Sequence, residues 1–239
     1  MSDLSRRSFM FASSGAAAGA FAVSGVLEAA EGDGKKLDYS ASGLVTGKPK
    51  PLKHAAIPGF LSAEQIAPHH SAHYSGALKA VTAADARLEE ATKAGTAVDA
   101  AAFGQLKRII NSRGNSVVLH ELYFDGLALK TPDPVAEVRS AIEKRFGSLE
   151  KWSLDFTTSA KDAGGWAMLV KHPVNGKLYN VVSDEHAMGL LWMAMPLVVI
   201  DVYEHAFYID YQNRKAEYVD KFMQHIDWND ANSRFRSIG

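Results

Sequence analysis

Apolar and polar positions change their period near the middle of this chain. Before residue 131 the pattern is helical. Ser62-Ala63-Glu64-Gln65 opens the first run with serine three residues ahead of glutamine, the spacing at which a cap hydroxyl and a third-position side chain satisfy each other's free amides. That run continues to about residue 88, and Pro68 and Gly76 within it predict a bend or an interruption. A second helical piece is expected over 98–110. A third, over 115–127, carries Val118, Leu119, Leu122 and Tyr123 at helical spacing. Thr131-Pro132-Asp133-Pro134 is a strong break. Beyond it, helices are expected over 135–146 and 149–163, with Gly147-Ser148 supplying a stop and a new cap. Residues 165–171 and 178–182 then read as strands joined through Asn175-Gly176, 197–200 as a third strand, and 204–225 as helix again. The expected fold class is α+β: an α-helical hairpin domain over 55–130, then an α/β domain over 131–239 with a small three-stranded antiparallel sheet.

The first 54 residues stand outside this pattern. Arg6-Arg7, followed by a small, apolar stretch to about Gly25, resembles a twin-arginine export signal. It predicts passage through the twin-arginine export machinery and a periplasmic or otherwise exported location, with membrane tethering if the segment is retained. Cleavage is expected after Ala20-Phe21-Ala22, with Gly25 and Ala30 as alternatives. Residues 26–54, rich in Gly, Lys, Ser and Pro, are expected to form an extended or loosely ordered arm. The apolar run 188–200 is short and holds Pro196, so no later membrane span is expected.

Composition narrows the chemistry. The 239 residues are 47% hydrophobic and 22% charged, the range of a globular protein. A formal net charge of −1 gives no nucleic-acid footprint. With no cysteine there is no disulfide, thiolate ligand or thiol nucleophile, so any metal is held by nitrogen and oxygen.

Such donors recur in the pattern. Asp201 and His205 follow the apolar run 193–200; if a helix starts there, four residues turn about 400° and aim both side chains at one point. The same spacing also suits a surface ion pair worth about 0.2–0.5 kcal/mol. His69 and His73 are likewise four apart, with His70 rotated by about 100°, so one of the pair can bind a metal while the other supports it. His120 sits among apolar neighbours, and His186 lies in the C-terminal half. Singly, each is more often a satisfied core histidine than a ligand. Together, one histidine from each of two early helices and a carboxylate with a histidine from a strand end describe a metal site.

The stretch Asp201-Val202-Tyr203-Glu204-His205-Ala206-Phe207-Tyr208 resembles the signature of the iron/manganese superoxide dismutases, and Asp210-Tyr211-Gln212-Asn213-Arg214, Tyr218-Val219 and Asp227-Trp228-Asn229 continue it. Leu61 to Ile66 with His69-His70-Ser71-Ala72-His73 is similar to the family's first helix, residues 115–127 to its second ligand helix, and Gly165 to Val170 to its first strand. The resemblance spans roughly residues 55–230. It implies disproportionation of superoxide, the small-molecule substrate, at one Fe or Mn ion per subunit. The ligands it implies are His69, His120, Asp201 and His205. His73 falls on a supporting histidine at the substrate channel, Trp166 on a cavity aromatic and Arg214 on a channel-mouth arginine. Glu204 and Tyr208 fall on residues that bridge to a partner's site, which implies a homodimer.

The chain also departs from the family. Ala77 stands where a tyrosine guards the channel, and Tyr74 is rotated away. Tyr203 replaces a tryptophan or phenylalanine, and Met168 a frequent tryptophan. The family places a hydrogen-bonding side chain, commonly glutamine, beside the metal's solvent; one of its two places falls on Ser116, which is too short, and the other on His186, with Glu185 the neighbouring option. These departures leave open a dismutase-fold metal-binding protein with weak or different redox activity.

Overall fold

The computed structural model describes residues 36–95, 99–189 and 191–238; the expected export signal and the start of the arm lie outside the described residues. The rest of the arm is held in place rather than loose. Residues Gly43–Thr46 form a short helix, α1, capped by the Ser42 hydroxyl. Gly43 N–H donates to the buried Glu121 carboxylate at 2.8 Å, and Lys50 N–H donates to the Tyr74 hydroxyl at 2.8 Å. A buried carboxylate needs such donors, and the sequence gives no local hint of a partner 78 residues away.

Helix α2, Ala63–Pro68, starts on the expected Ser62 cap, whose hydroxyl accepts from Gln65 N–H at 3.0 Å. The chain then widens into a π-helical turn, His69–Tyr74, before α3, Ser75–Ala94. This is the interruption expected from Pro68: proline donates no N–H, and the Ser75 amide and hydroxyl both reach back to His70 O. Helix α4, Ala100–Asp125, is continuous where two pieces were expected. Local propensity loses to packing there, because α4 lies along α3 over its length and Gly114 sits against Val81 without interrupting it.

After the break come α5, Ala136–Phe146, and α6, Leu149–Asp162, the latter capped by Ser148. Gly147 between them has φ of +94°, a backbone only glycine adopts without strain. Strands β1 (Trp166–Lys171), β2 (Leu178–Ser183) and β3 (Met195–Asp201) form an antiparallel sheet in the order β2-β1-β3. Every residue of β1 is buried, since α6 packs against β1 and β2 while α4 and α9 pack against β3. A central strand covered on both faces reads as a continuous apolar run. The register sets Trp166 opposite Asp201 on one side and Ser183 on the other.

The C-terminal run is not one helix. A 3-10 turn at Glu204–Ala206, α7 at Tyr208–Tyr211 and α8 at Lys215–Phe222 are separated by Gln212, whose φ is +52°. A last helix, α9 (Trp228–Ser237), was not expected; Asp227 caps it by accepting from Asn229 and Asp230 N–H. Its composition is polar, and its burial comes through Trp228, Ala231, Asn232 and the whole side chain of Arg234, whose guanidinium donates to Leu197 O at 2.7 Å and pairs with Asp230 at 2.6 Å. One apolar core joins the helical hairpin to the sheet, from Ile57 and Tyr74 through Val117 to Leu169 and Tyr218.

Candidate metal centre

Four elements deliver one donor each to a single buried point. His69 opens the π-turn, His120 lies on α4, Asp201 ends β3 and His205 sits in the 3-10 turn that follows. Asp201 Oδ2 is 3.1 Å from His69 Nε2, 3.3 Å from His205 Nε2 and 3.6 Å from His120 Nε2. All four donor atoms lie within 4.8 Å of one another. The convergence of Asp201 and His205 does not come from a helix starting at Asp201, as their spacing implied. Asp201 belongs to the strand, and the turn at Tyr203 brings His205 back beneath it, helped by Tyr203 N–H donating to Asp201 Oδ1 at 3.0 Å.

The donors are prepared for a cation. His69, His120 and Asp201 are each at most 1% exposed. Burial lowers the His69 pKa, and it lowers that of His120 to about 3, so both rings are neutral. Burial alone would raise Asp201; contacts with His205 and His69 outweigh it and keep the carboxyl ionised. His120 Nδ1–H donates to Ser116 O at 2.7 Å, which fixes the tautomer and leaves Nε2 a free lone pair. Nε2 of His120 and of His205 are buried without a hydrogen-bond partner. Orphaned acceptors beside a carboxylate are costly unless something cationic sits between them. Donors at about 2.1 Å from a first-row ion lie roughly 3.0–3.4 Å apart when adjacent, close to the spacing here. Three imidazoles and a carboxylate suit Fe or Mn, and the residues fit such an ion.

Around the four donors, aromatic side chains lock ring planes. His205 is sandwiched, with His73 stacked at 3.8 Å between centroids and Tyr203 at 5.2 Å. Trp166 is fully buried, meets His120 edge-on at 5.1 Å and donates its indole N–H to His186 Nδ1 at 3.0 Å. His186 thus lies 6.2 Å from the His120 ring, while Glu185 is exposed. Ser116 Oγ is 3.3 Å from His120 Nδ1 and reaches no further into the site. Ala77 is buried on α3 and offers only a methyl group. The Tyr74 hydroxyl cannot replace a gate, because it is engaged by Lys50 N–H and itself donates to Glu121.

A cleft of 560 Å³ opens beside His205, lined by Tyr203, Glu204, Asn213 and Lys215. Arg214 is not brought to it. Its guanidinium pairs with Glu217 at 2.8 Å and with Asp210 O, on the other side of the turn. The cation at the cleft is Lys215, whose ammonium donates to Ala163 O. Glu204 and Tyr208 are exposed beside the cleft.

Sequence reasoning missed two positioning groups. The Gln65 amide donates to His205 O at 2.7 Å and accepts from Ile209 N–H at 2.9 Å, clamping the C-terminal motif onto α2 instead of closing its own cap. Tyr218 donates to Asp201 O at 2.8 Å and contacts the Tyr123 hydroxyl at 3.0 Å. A buried Gln and two tyrosines at apolar positions were the only signals of these.

Comparison with known proteins agrees with this geometry. The family model described as iron/manganese superoxide dismutases, C-terminal domain, matches residues 134–234. The chain is 37% identical over 191 residues to superoxide dismutase [Fe] of Cupriavidus metallidurans, covering 79% of this chain and 94% of that protein. It is 32% identical over 188 residues to superoxide dismutase [Mn] 2 of Haloferax volcanii, covering 78% and 93%. Superoxide dismutase [Fe] of Pyrobaculum aerophilum is 30% identical over 193 residues, covering 79% and 90%. With matches of this extent and with the four converging donors, the chain belongs to the iron/manganese superoxide dismutase family.

Proposed function

We propose that this protein disproportionates superoxide to dioxygen and hydrogen peroxide at a mononuclear Fe or Mn centre, one ion per subunit, held by His69, His120, Asp201 and His205. The observation that carries the reading is the pair of partnerless, buried imidazole nitrogens facing one ionised carboxylate. When bound, the ion supplies the one-electron oxidation and reduction. The protein's part is to admit a small anion, hold the donors and deliver protons. Two superoxide ions and two protons give one dioxygen and one peroxide. Lys215 at the cleft attracts the anion, and neutral imidazoles leave the bound centre cationic enough to favour it. Trp166 donates to His186 Nδ1, which leaves the His186 N–H on Nε2, where it would serve as a proton donor to the site. Similar relatives bear both Fe and Mn in their names, and the donor set suits either ion.

Exposed Glu204, Tyr208 and Ile209 beside the cleft support a homodimer whose subunits meet there. Arg6-Arg7 and the apolar stretch after them support export by the twin-arginine route. A second reading is favoured by one observation: Ala77 removes a hydroxyl from the channel, which suits a metal-binding protein of the same fold with weak or altered redox activity. Purified protein, analysed for metal and assayed for superoxide removal, separates the two. Activity proportional to Fe or Mn content supports the dismutase; full occupancy without activity leaves only the second reading. Inactivation by peroxide would mark the Fe form.

A further inference from the structure

Strand β1 runs through five apolar residues and then ends on a lysine that is buried with them. Lys171 is 9% exposed, and its ammonium lies 4.2 Å from the centre of the Phe235 ring. It donates to Phe235 O on α9 and to Ile238 O just beyond that helix. An ammonium carries three donors, so one N–H is left over. Burial lowers the Lys171 pKa, and no carboxylate among the described residues offsets that burial. A buried charge without a counter-ion is costly.

Lys171 lines a pocket of 810 Å³ between the end of α5, the β1–β2 hairpin and α9. Lys144, Arg145 and Lys177 line it too, and no carboxylate does, in a chain with 26 basic and 27 acidic residues. The acids of α5, Glu137 and Glu143, pair instead with Arg236 and Arg139. Lys144 and Arg145 also offset the dipole in the last turn of α5, but that role covers neither Lys171 nor Lys177. The donors are held in place. Arg145 Nε donates to Leu178 O at 2.9 Å, and the guanidinium lies over the rings of Phe146 and Tyr179 at 5.3 and 5.6 Å, which leaves its terminal amines for a forked contact. The Tyr179 hydroxyl accepts from the Asn175 side-chain amide at 2.8 Å and keeps its own proton to donate.

We propose that this pocket binds the di- or triphosphate group of a small soluble molecule, with Lys171 at its floor, Lys144 and the Arg145 fork on one wall, and Lys177 with the Tyr179 hydroxyl on the other. Four cations around one concavity match the charge and the many acceptor oxygens of such a group better than those of a single carboxylate. With a net charge of −1 the chain has no basic stripe for a nucleic-acid backbone. None of the four metal donors lines the pocket, so the site is independent of the catalytic reading.

Titration calorimetry of the metal-loaded full chain with inorganic tripolyphosphate, at fixed ionic strength, tests it. Wild type is expected to bind one tripolyphosphate per chain. The double variant Lys144→Gln/Lys177→Gln, which changes two exposed side chains, is expected to bind at least about tenfold more weakly with an unchanged melting temperature. Lys171→Met is expected to lose binding as well, but it also cuts the two bonds toward α9, so the exposed pair decides. Absence of saturable binding overturns the proposal. So does equal affinity in the double variant, the result that extraction of the metal ion by tripolyphosphate would give. Equal competition by sulfate would reduce the pocket to an unselective anion sink and overturn it too. Flotation with phosphatidic acid vesicles, without affinity for tripolyphosphate, would give these cations to a lipid surface instead.

Discussion

Asp201 Oδ2 is the atom on which the site turns. It faces three imidazole nitrogens within 3.6 Å, and none of its four elements supplies more than one donor. Removing one donor therefore leaves the other three in place. His205→Ala is expected to cut bound Fe or Mn at least tenfold, read by metal analysis, since even supporting residues cost 10–100-fold in affinity. Retention of one ion per chain would contradict the ligand assignment. Trp166→Phe tests the proton path. It keeps the packing against His120 but removes the N–H that fixes His186, and the rate per bound metal is expected to fall about tenfold with metal content unchanged. An unaltered rate would free His186 from that role.

At the scale of elements, the π-turn, the strand end and the 3-10 turn are what aim the donors, and the arm braces the first of them. Tyr74 closes the π-turn and lies between Lys50 N–H and Glu121, whose carboxylate also receives Gly43 N–H. Tyr74→Phe takes one of two donors from the buried Glu121 carboxylate and leaves the Lys50 amide without its acceptor, so a loss of about 1–3 kcal/mol is expected. In a protein of this size each kcal/mol lowers the melting temperature by about 2–4 °C. Calorimetry checks this, and an unshifted transition would show the arm to be a passenger. The elements differ in how far they could be read. The Ser62 cap, the break at Thr131-Pro132, the Gly147-Ser148 stop and the three strands follow from local rules, and the structure has them all. The continuity of α4 through Gly114, the kink at Gln212 and the polar helix α9 depend on contacts distant in sequence, which periodicity does not register. The same divide runs through the site. His69, His120, Asp201 and His205 were legible because motif and chemistry coincide there, whereas Lys215 reaches the cleft only through the backbone turn at Gln212, and Gln65 left its expected cap for a partner 140 residues away.

Over the whole molecule, the helical hairpin carries two ligands and the sheet with the turn that follows it carries the other two, so metal binding and folding are coupled. That coupling has a pH signature. His69 and His120 are buried with pKa values below the roughly 6.5 they regain on unfolding. Below that value the unfolded chain binds more protons than the folded one, so stability rises with pH and is lost as pH falls. The metal-free protein is expected to melt lower at about pH 5 than at about pH 7; Asp201, held below this window, adds nothing to the difference. A melting temperature that rises on acidification would contradict buried neutral imidazoles. The central claim, that these two halves assemble a centre which turns superoxide over against itself, is tested most directly by product stoichiometry. Metal-analysed protein is given a known pulse of superoxide, and dioxygen and peroxide are measured together. The account predicts equal amounts of the two, formed at a rate proportional to bound Fe or Mn and lost in His205→Ala. Peroxide without matching dioxygen, or a rate indifferent to metal content, would contradict it.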